Sequence, residues 1–331
     1  MPDPIILDAL RRMRLVEPAV IPPMRRLPGG VSSDIWRVDL ADGPVCVKRA
    51  LPRLKVDAVW EVPVERNRYE WEWMREAARI DPGCVPPLVA QDVESGCFVI
   101  GFLAPETYPV WKSQLQHGIA STATAGAVGR RLVAIHAATA DNRDIAERFA
   151  TDHIFHAIRL EPYLLATAAR HRDVGPRLAE LASRTACTKR TLVHGDASPK
   201  NVLVGPDGPI FLDAECAWYG DPAFDLAFCL THLLLKCLWT PGATAGFLRS
   251  FDALAEAYTA GVGWEEPGDL ERRAAHLVPA LLLARVDGKS PVEYLTAEAD
   301  RGRVRQVAIA LLRLPAASLS SVRRAWAPHH D

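Results

Sequence analysis

The chain has 331 residues, of which 49% are hydrophobic and 24% charged, a composition suited to one large domain or to two lobes around a cleft. Its formal net charge of −1 gives no electrostatic case for nucleic acid or an anionic membrane as partner, while leaving room for a local basic pocket. Seven scattered cysteines without a C-x-x-C pair read as reduced thiols, so a cytoplasmic location is expected.

The first 24 residues carry acidic side chains early and only the short apolar stretch Ile5–Leu7, which is not the pattern of a signal peptide. Ile6, Leu10 and Met13 at helical spacing predict a short amphipathic helix over 5–15. A Leu27-Pro-Gly-Gly turn follows. Ile35–Leu40 then alternates as a strand, Ala41-Asp-Gly-Pro44 turns, and Val45-Cys-Val-Lys48 is the returning strand of an antiparallel hairpin. Residues 65–80 are charged and free of Gly and Pro, which predicts a helix, and Cys97–Leu103 is a further strand. Pro105 and Pro109 mark a connection.

From Ser121 onward the periodicity is helical, with one exception. Asn201–Val204, the turn Gly205-Pro-Asp-Gly208 and Ile210–Leu212 form a second hairpin. The most apolar run, Leu226–Trp239, is interrupted by Thr231, His232 and Lys236, as in a buried helix rather than a membrane span. The expected organisation is a sheet-rich lobe over 1–103, a linker over 104–112 and a helical lobe over 113–331.

The chemistry concentrates in Val193-His-Gly-Asp-Ala-Ser-Pro-Lys-Asn201 and, past the second hairpin, Phe211-Leu-Asp213-Ala-Glu215. Phosphoryl transfer needs a carboxylate to orient the attacking hydroxyl and oxygen ligands for the magnesium that bridges nucleotide phosphates. Asp196 and Asn201 on one loop, with Asp213 returned beside Asn201 by the hairpin, offer both. A lone Asp or Asn in a turn has no such meaning; H-G-D-x-x-x-x-N followed by D-x-E around a hairpin does.

This segment resembles the catalytic loop and metal-binding strand of the aminoglycoside phosphotransferase and choline kinase superfamily, and Tyr219-Gly-Asp-Pro-Ala-Phe-Asp225 continues the likeness. The resemblance implies an α+β, two-lobed protein-kinase-like fold, with an antiparallel-sheet N-lobe holding one key helix and a mainly helical C-lobe. It implies ATP and Mg2+ as cofactors and a small-molecule hydroxyl as acceptor. Asp196 is then the catalytic base, Asn201 and Asp213 are metal ligands with Glu215 in or next to the coordination sphere, and Asp225 supports the loop. Lys48 matches the lysine that kinases place on the α- and β-phosphates, Cys46 shares its strand face and lines the adenine pocket, and Leu203 forms the opposite floor. Gly30, Ser32 and Ser33 lie where kinases carry a phosphate-covering loop, although a plain hairpin turn explains them equally well.

Lys48 requires an acidic partner from the charged helix, and spacing alone leaves Glu65, Glu70, Glu72 and Glu76 open. Within the superfamily the chain is similar to methylthioribose kinases through Val47-Lys-Arg-Ala-Leu-Pro52, Tyr69-Glu70 ahead of Val85-Pro86, and Asp213–Gly220; that likeness selects Glu70. It departs from them at Ala197, Ser198 and Asn201 in the loop, and at Ala284-Arg285, where those kinases carry paired arginines. A related but different acceptor is implied, a sugar-like or polyol metabolite, with Arg285, Trp218 and Trp111 as substrate-contact candidates. Alternatives are an aminoglycoside phosphotransferase, whose polycationic substrate calls for a carboxylate-lined site, and a silent kinase-like binding module, which the presence of Lys48, Asp196, Asn201 and Asp213 disfavours.

Overall fold

Strand alternation decides the first half of the molecule. The computed structural model of the chain describes residues 3–28, 33–51 and 65–327. β2 (Ser33–Leu40) and β3 (Gly43–Ala50) pair antiparallel with Ile35 opposite Lys48, turning at Gly43, whose φ of +124° suits glycine. With β1 (Met24–Arg26), β4 (Leu88–Asp92) and β5 (Cys97–Gly101) they form one antiparallel sheet of order β1-β2-β3-β5-β4.

The two faces of this sheet are covered by different helices. Val45, Val47, Cys97 and Val99 pack with Ile6, Leu7, Ala9 and Leu10 of α1 (Pro4–Arg12), whose N-terminus is capped by Asp3. On the other face, Phe98 and Ile100 pack with Trp71, Trp73, Met74 and Ala77 of α2 (Arg66–Ile80). The period of two therefore puts Lys48, paired opposite Phe98, on the α2 side.

The second half is helical: α3 (Trp111–Gln116), α4 (Thr122–Thr139), α5 (Arg143–Arg148), α6 (Asp152–Phe155), α7 (Ala166–Arg170), α8 (Gly175–Cys187), α9 (Pro222–Trp239), α10 (Thr244–Thr259), α11 (Pro267–Asp287), α12 (Glu298–Arg313) and α13 (Leu319–Trp326). Between α6 and α7 the chain runs as a wide π-helical segment, His156–Leu165, containing Pro162, which has no N–H to donate to the preceding turn. α9 is long and apolar enough to cross a membrane, yet 94% of that stretch is buried within the protein, so it is the core helix expected from its interrupting polar residues.

Two small antiparallel ribbons interrupt the helices. β6 (Thr191–Val193) pairs with β9 (Trp218–Gly220), and β7 (Val202–Gly205) pairs with β8 (Gly208–Phe211). The second ribbon joins the two halves: Val204 N–H donates to Pro109 O over 2.9 Å. Arg131 of α4 donates to Gly83 O on one side and to Asp207 O and Pro209 O on the other. β1, β4, β6 and β9 are not among the strands that the sequence pattern predicts. β1, β6 and β9 are three residues long, and β4 follows Pro86-Pro87 without a clean alternation, so none carries a local signature.

Candidate active site

Lys48 and Glu70 meet at the floor of the sheet-rich half, both almost fully buried. Lys48 Nζ lies 2.7 Å from Glu70 Oε1 and also donates to Asp213 Oδ1. Of the four glutamates that competed by spacing, Glu70 faces Lys48. Glu72 pairs with Arg75 and Arg148, Glu76 with Arg79 and Arg148, and Glu65 with His153, all ion pairs pointing elsewhere. Burial alone would lower the lysine's pKa, but Asp213 and Glu70 outweigh it and hold the ammonium charged. One ammonium serves two carboxylates. Burial drives Asp213 upward, yet its contact with Lys48 leaves it below the usual range. Glu70, with burial as the larger effect, is pushed up to about 7.

The loop 194–201 leaves β6 and is held from below by α9. Asp225, fully buried, accepts the backbone N–H of His194 over 2.7 Å and that of Gly195 over 2.8 Å, one on each oxygen. Gly195 has φ +77°, and a Cβ there would lie 2.5 Å from Cys216 O, so only glycine fits. His194 braces the loop through its ring: Nε2 faces Leu212 O at 3.0 Å and Nδ1 accepts the Asp196 N–H at 3.1 Å. Those partners assign a neutral imidazole protonated on Nε2, in keeping with a pKa that burial lowers.

Asp196 is 4% exposed and accepts two cations on one oxygen. Arg159 Nη2 stands 2.9 Å and Lys200 Nζ 3.0 Å from Oδ2. Burial would raise this carboxyl, but Arg159 and Lys200 override it and bring it down to about 2. The other oxygen, Oδ1, is buried and has no hydrogen-bond partner among the described residues. Arg159 comes from the π-helical segment and is itself fixed by donating to Gly195 O and Ile158 O. Neither Arg159 nor Lys200 was singled out from sequence. Lys200 lies four residues past Asp196 within the motif and could have been; Arg159 has no local signal.

Asn201 donates its amide nitrogen to Asp196 O over 3.1 Å, which directs its carbonyl oxygen away from the loop backbone. Asp213 follows β8 with φ +62°, a left-handed conformation uncommon for a residue with a side chain and typical of functional sites. Leu212 N–H donates to Asn201 O over 2.9 Å, so the hairpin does return Asp213 beside Asn201. Glu215 has Oε2 engaged by Arg66 Nε of α2 at 3.0 Å.

Of the remaining candidates, Cys46 is half-buried on the Lys48 face with a thiol that burial pushes up to about 12, Leu203 is buried on β7 in a bridge to Val110, and Ser33 is buried at the start of β2. Gly30 and Ser32 lie outside the described residues. Arg285 is buried and lines a small cavity that also includes Lys200. Trp111 and Trp218, the aromatic substrate-contact candidates, both lie in the core. Each is 1% exposed within the main core. The Trp218 ring stacks on Phe155 at 4.2 Å and its Nε1 donates to Asp152, so packing already accounts for it.

With this geometry in view, a family model described as the phosphotransferase enzyme family matches residues 23–267. The chain is 23% identical over 257 residues to a methylthioribose kinase of Exiguobacterium sibiricum, covering 69% of this chain and 65% of that one. Matches to two further methylthioribose kinases span 63% and 51% of their lengths, so the chain corresponds to only part of these curated relatives. Among solved structures, a choline/ethanolamine kinase family protein from Mesorhizobium loti aligns over 97% of this chain and 99% of that one, with TM-score 0.54 and 16% identity. A macrolide 2'-phosphotransferase from Brachybacterium faecium aligns over 94% and 98%, with TM-score 0.51 and 20% identity. These likenesses show the fold, the two-lobed kinase-like one implied by the sequence motifs.

Proposed function

The chain belongs to the phosphotransferase enzyme family, and from that premise we propose that it is an ATP-dependent small-molecule kinase that phosphorylates a hydroxyl of a sugar-like or polyol metabolite. The observation that carries this reading is Asp196, a buried carboxylate with one oxygen clamped by Arg159 and Lys200 and the other without a partner. A buried acceptor left unsatisfied is costly, and a substrate hydroxyl donating to Oδ1 removes the cost while aiming its oxygen. Held at about 2, Asp196 is a weak base at neutral pH. Its part is chiefly to orient the nucleophile and to receive the proton late, as the loose transition state of phosphoryl transfer permits.

Lys48, kept charged between Glu70 and Asp213, binds the nucleotide phosphates and meets the charge that develops on them. The Asn201 carbonyl oxygen and the Asp213 carboxylate are hard oxygen donors in adjacent positions, which fits magnesium, an ion that takes few protein ligands and completes its shell with phosphate and water. They would hold the ion, with Glu215 acting from one layer out through its bond to Arg66. The ion would supply positive charge to offset that of the nucleotide phosphates.

The reading is tested by ADP release, coupled to a spectrophotometric readout, across pentoses, methylthioribose, choline, homoserine and aminoglycosides, alongside calorimetric titration of ATP with Mg2+. Nucleotide binding with acceptor-dependent ADP release is expected. A folded protein that binds no nucleotide would overturn it.

A further inference from the structure

The cavity that contains Arg285 is lined by far more positive than negative charge. It lies against Pro199 and Lys200 of the Asp196 loop and is closed by His232 and Lys236 of α9 and Arg285 of α11. Lys236 is 1% exposed, His232 6% and Arg285 8%. Lys236 Nζ, His232 Nε2 and Arg285 Nε are all buried without a hydrogen-bond partner among the described residues. The negative side chain at the cavity, Glu293, is already engaged by Lys112, and Lys200 is engaged by Asp196. Arg285 spends Nη1 on neutral oxygens, Tyr163 Oη at 3.1 Å and those of Ser290.

Burying an unpaired cation is expensive, and two in one cavity repel each other. The rings of Tyr294 and Trp239, 3.6 and 4.0 Å from Lys236 Nζ, offset part of this by cation–π attraction, but they leave the ammonium's hydrogens without acceptors. Burial, then Lys112, depress the Lys236 ammonium to about 6, with Arg285 adding to the effect. His232 is driven well below its ordinary range by burial and then by Arg285 and Lys236. Two unpartnered donors, Lys236 Nζ and Arg285 Nε, and the unpartnered ring nitrogen His232 Nε2 belong to side chains around one small space that abuts Lys200, the partner of Asp196, an arrangement suited to an anion.

We infer that the acceptor of this enzyme carries an anionic group, a carboxylate or a phosphate, which is seated among His232, Lys236 and Arg285 while its hydroxyl faces Asp196. This rests on the kinase reading for the position of the hydroxyl, though the pocket can be probed without it. A hydroxy acid or a phosphorylated polyol fits the arrangement. A polycationic antibiotic does not, because it would bring more positive charge to a surplus that is already unpaired.

The test begins with binding alone. Inorganic phosphate and D-glycerate are titrated calorimetrically into wild type, Lys236→Met and Lys48→Met, with a thermal melt of each protein. Lys236→Met keeps the aliphatic stem and removes a buried amine that has no hydrogen-bond partner among the described residues, so its fold is expected to survive. At least one anion should bind wild type and Lys48→Met alike, and bind Lys236→Met at least about tenfold more weakly. Absence of anion binding to wild type, or equal binding to a folded Lys236→Met, overturns the inference whatever the fate of that variant. ADP release is then compared for matched pairs: D-glycerate with glycerol, D-gluconate with sorbitol, ribose 5-phosphate with ribose. A preference for the anionic members is expected, and preference for the neutral members overturns the anionic acceptor while leaving the kinase reading intact. Failure of wild type to bind ATP, with anion binding preserved, instead overturns the kinase reading and leaves the pocket standing.

Discussion

Arg159 Nη2 is 2.9 Å from Asp196 Oδ2, and both side chains are buried. The arginine sits in a π-helical segment far from the motif, where Pro162 interrupts the regular turn. It gives the loop carboxylate a fixed rotamer and a low pKa, and it would itself be a buried uncompensated charge without that carboxylate.

For Asp196→Asn, the loss of a negative group positioned on the acceptor should lower kcat by roughly 10²–10⁴, with little change in the calorimetric Kd for ATP. Isosteric replacement should still cost stability, because Arg159 loses its charge partner. A variant turning over near the wild-type rate would remove Asp196 from the chemistry.

The same carboxylate carries a pH signature. Its folded pKa of about 2 lies below its ordinary value, so the stability it contributes is present above about pH 4 and is lost as pH falls toward 2. The contribution is on the order of 2 kcal/mol. Urea denaturation of wild type and Asp196→Asn from pH 6 to pH 2.5 should show the gap between them closing in that window, and a constant gap would contradict it.

Glu70 should show the opposite sign. Its carboxyl is raised to about 7, so its favourable contribution is complete below about pH 4.5 and is lost as pH rises through 7. In nucleotide-free protein, Glu70→Gln should therefore gain in Tm relative to wild type between pH 5 and pH 8. Lys48→Ala should raise KM for ATP and lower kcat together, since the ammonium binds ground-state phosphates and the transition state alike. An unchanged KM would place Lys48 outside the nucleotide site.

Asp225→Ala strips the acceptor from two buried N–H groups, those of His194 and Gly195. A destabilisation on the order of 3 kcal/mol is expected in chemical denaturation, because each orphaned donor keeps its desolvation cost. Wild-type stability in this variant would show that Asp225 does not hold the loop.

Chelation by EDTA should abolish ADP release, and Mg2+ should restore it, if Asn201 and Asp213 hold the ion. Full activity in excess chelator would sink that assignment.

Much of this site was legible along the chain because it is local. Turn chemistry and a two-residue period placed the β2–β3 and β7–β8 hairpins, and with them Lys48 and Asp213. The placement of Asp196, Asn201 and Asp213 around one hairpin is likewise local and visible in the sequence. Gly195 belongs to the same class, since its positive φ and its contact with Cys216 O arise within the loop and the segment just after it.

What no pattern contained is the pairing of charges between distant helices. Arg159 looks like any arginine on an amphipathic stretch, and Lys236 looked like the polar interruption that keeps α9 out of a membrane. For Trp111 and Trp218 the sequence left substrate contact and core packing equally open, and the fold places both in the core. Local conformation follows from residues a few positions apart, so periodicity and turn residues record it. Burial and electrostatic partnership follow from which helices pack together, and only the folded chain brings Arg159 to Asp196 or leaves Lys236 Nζ and Arg285 Nε without a hydrogen-bond partner among the described residues.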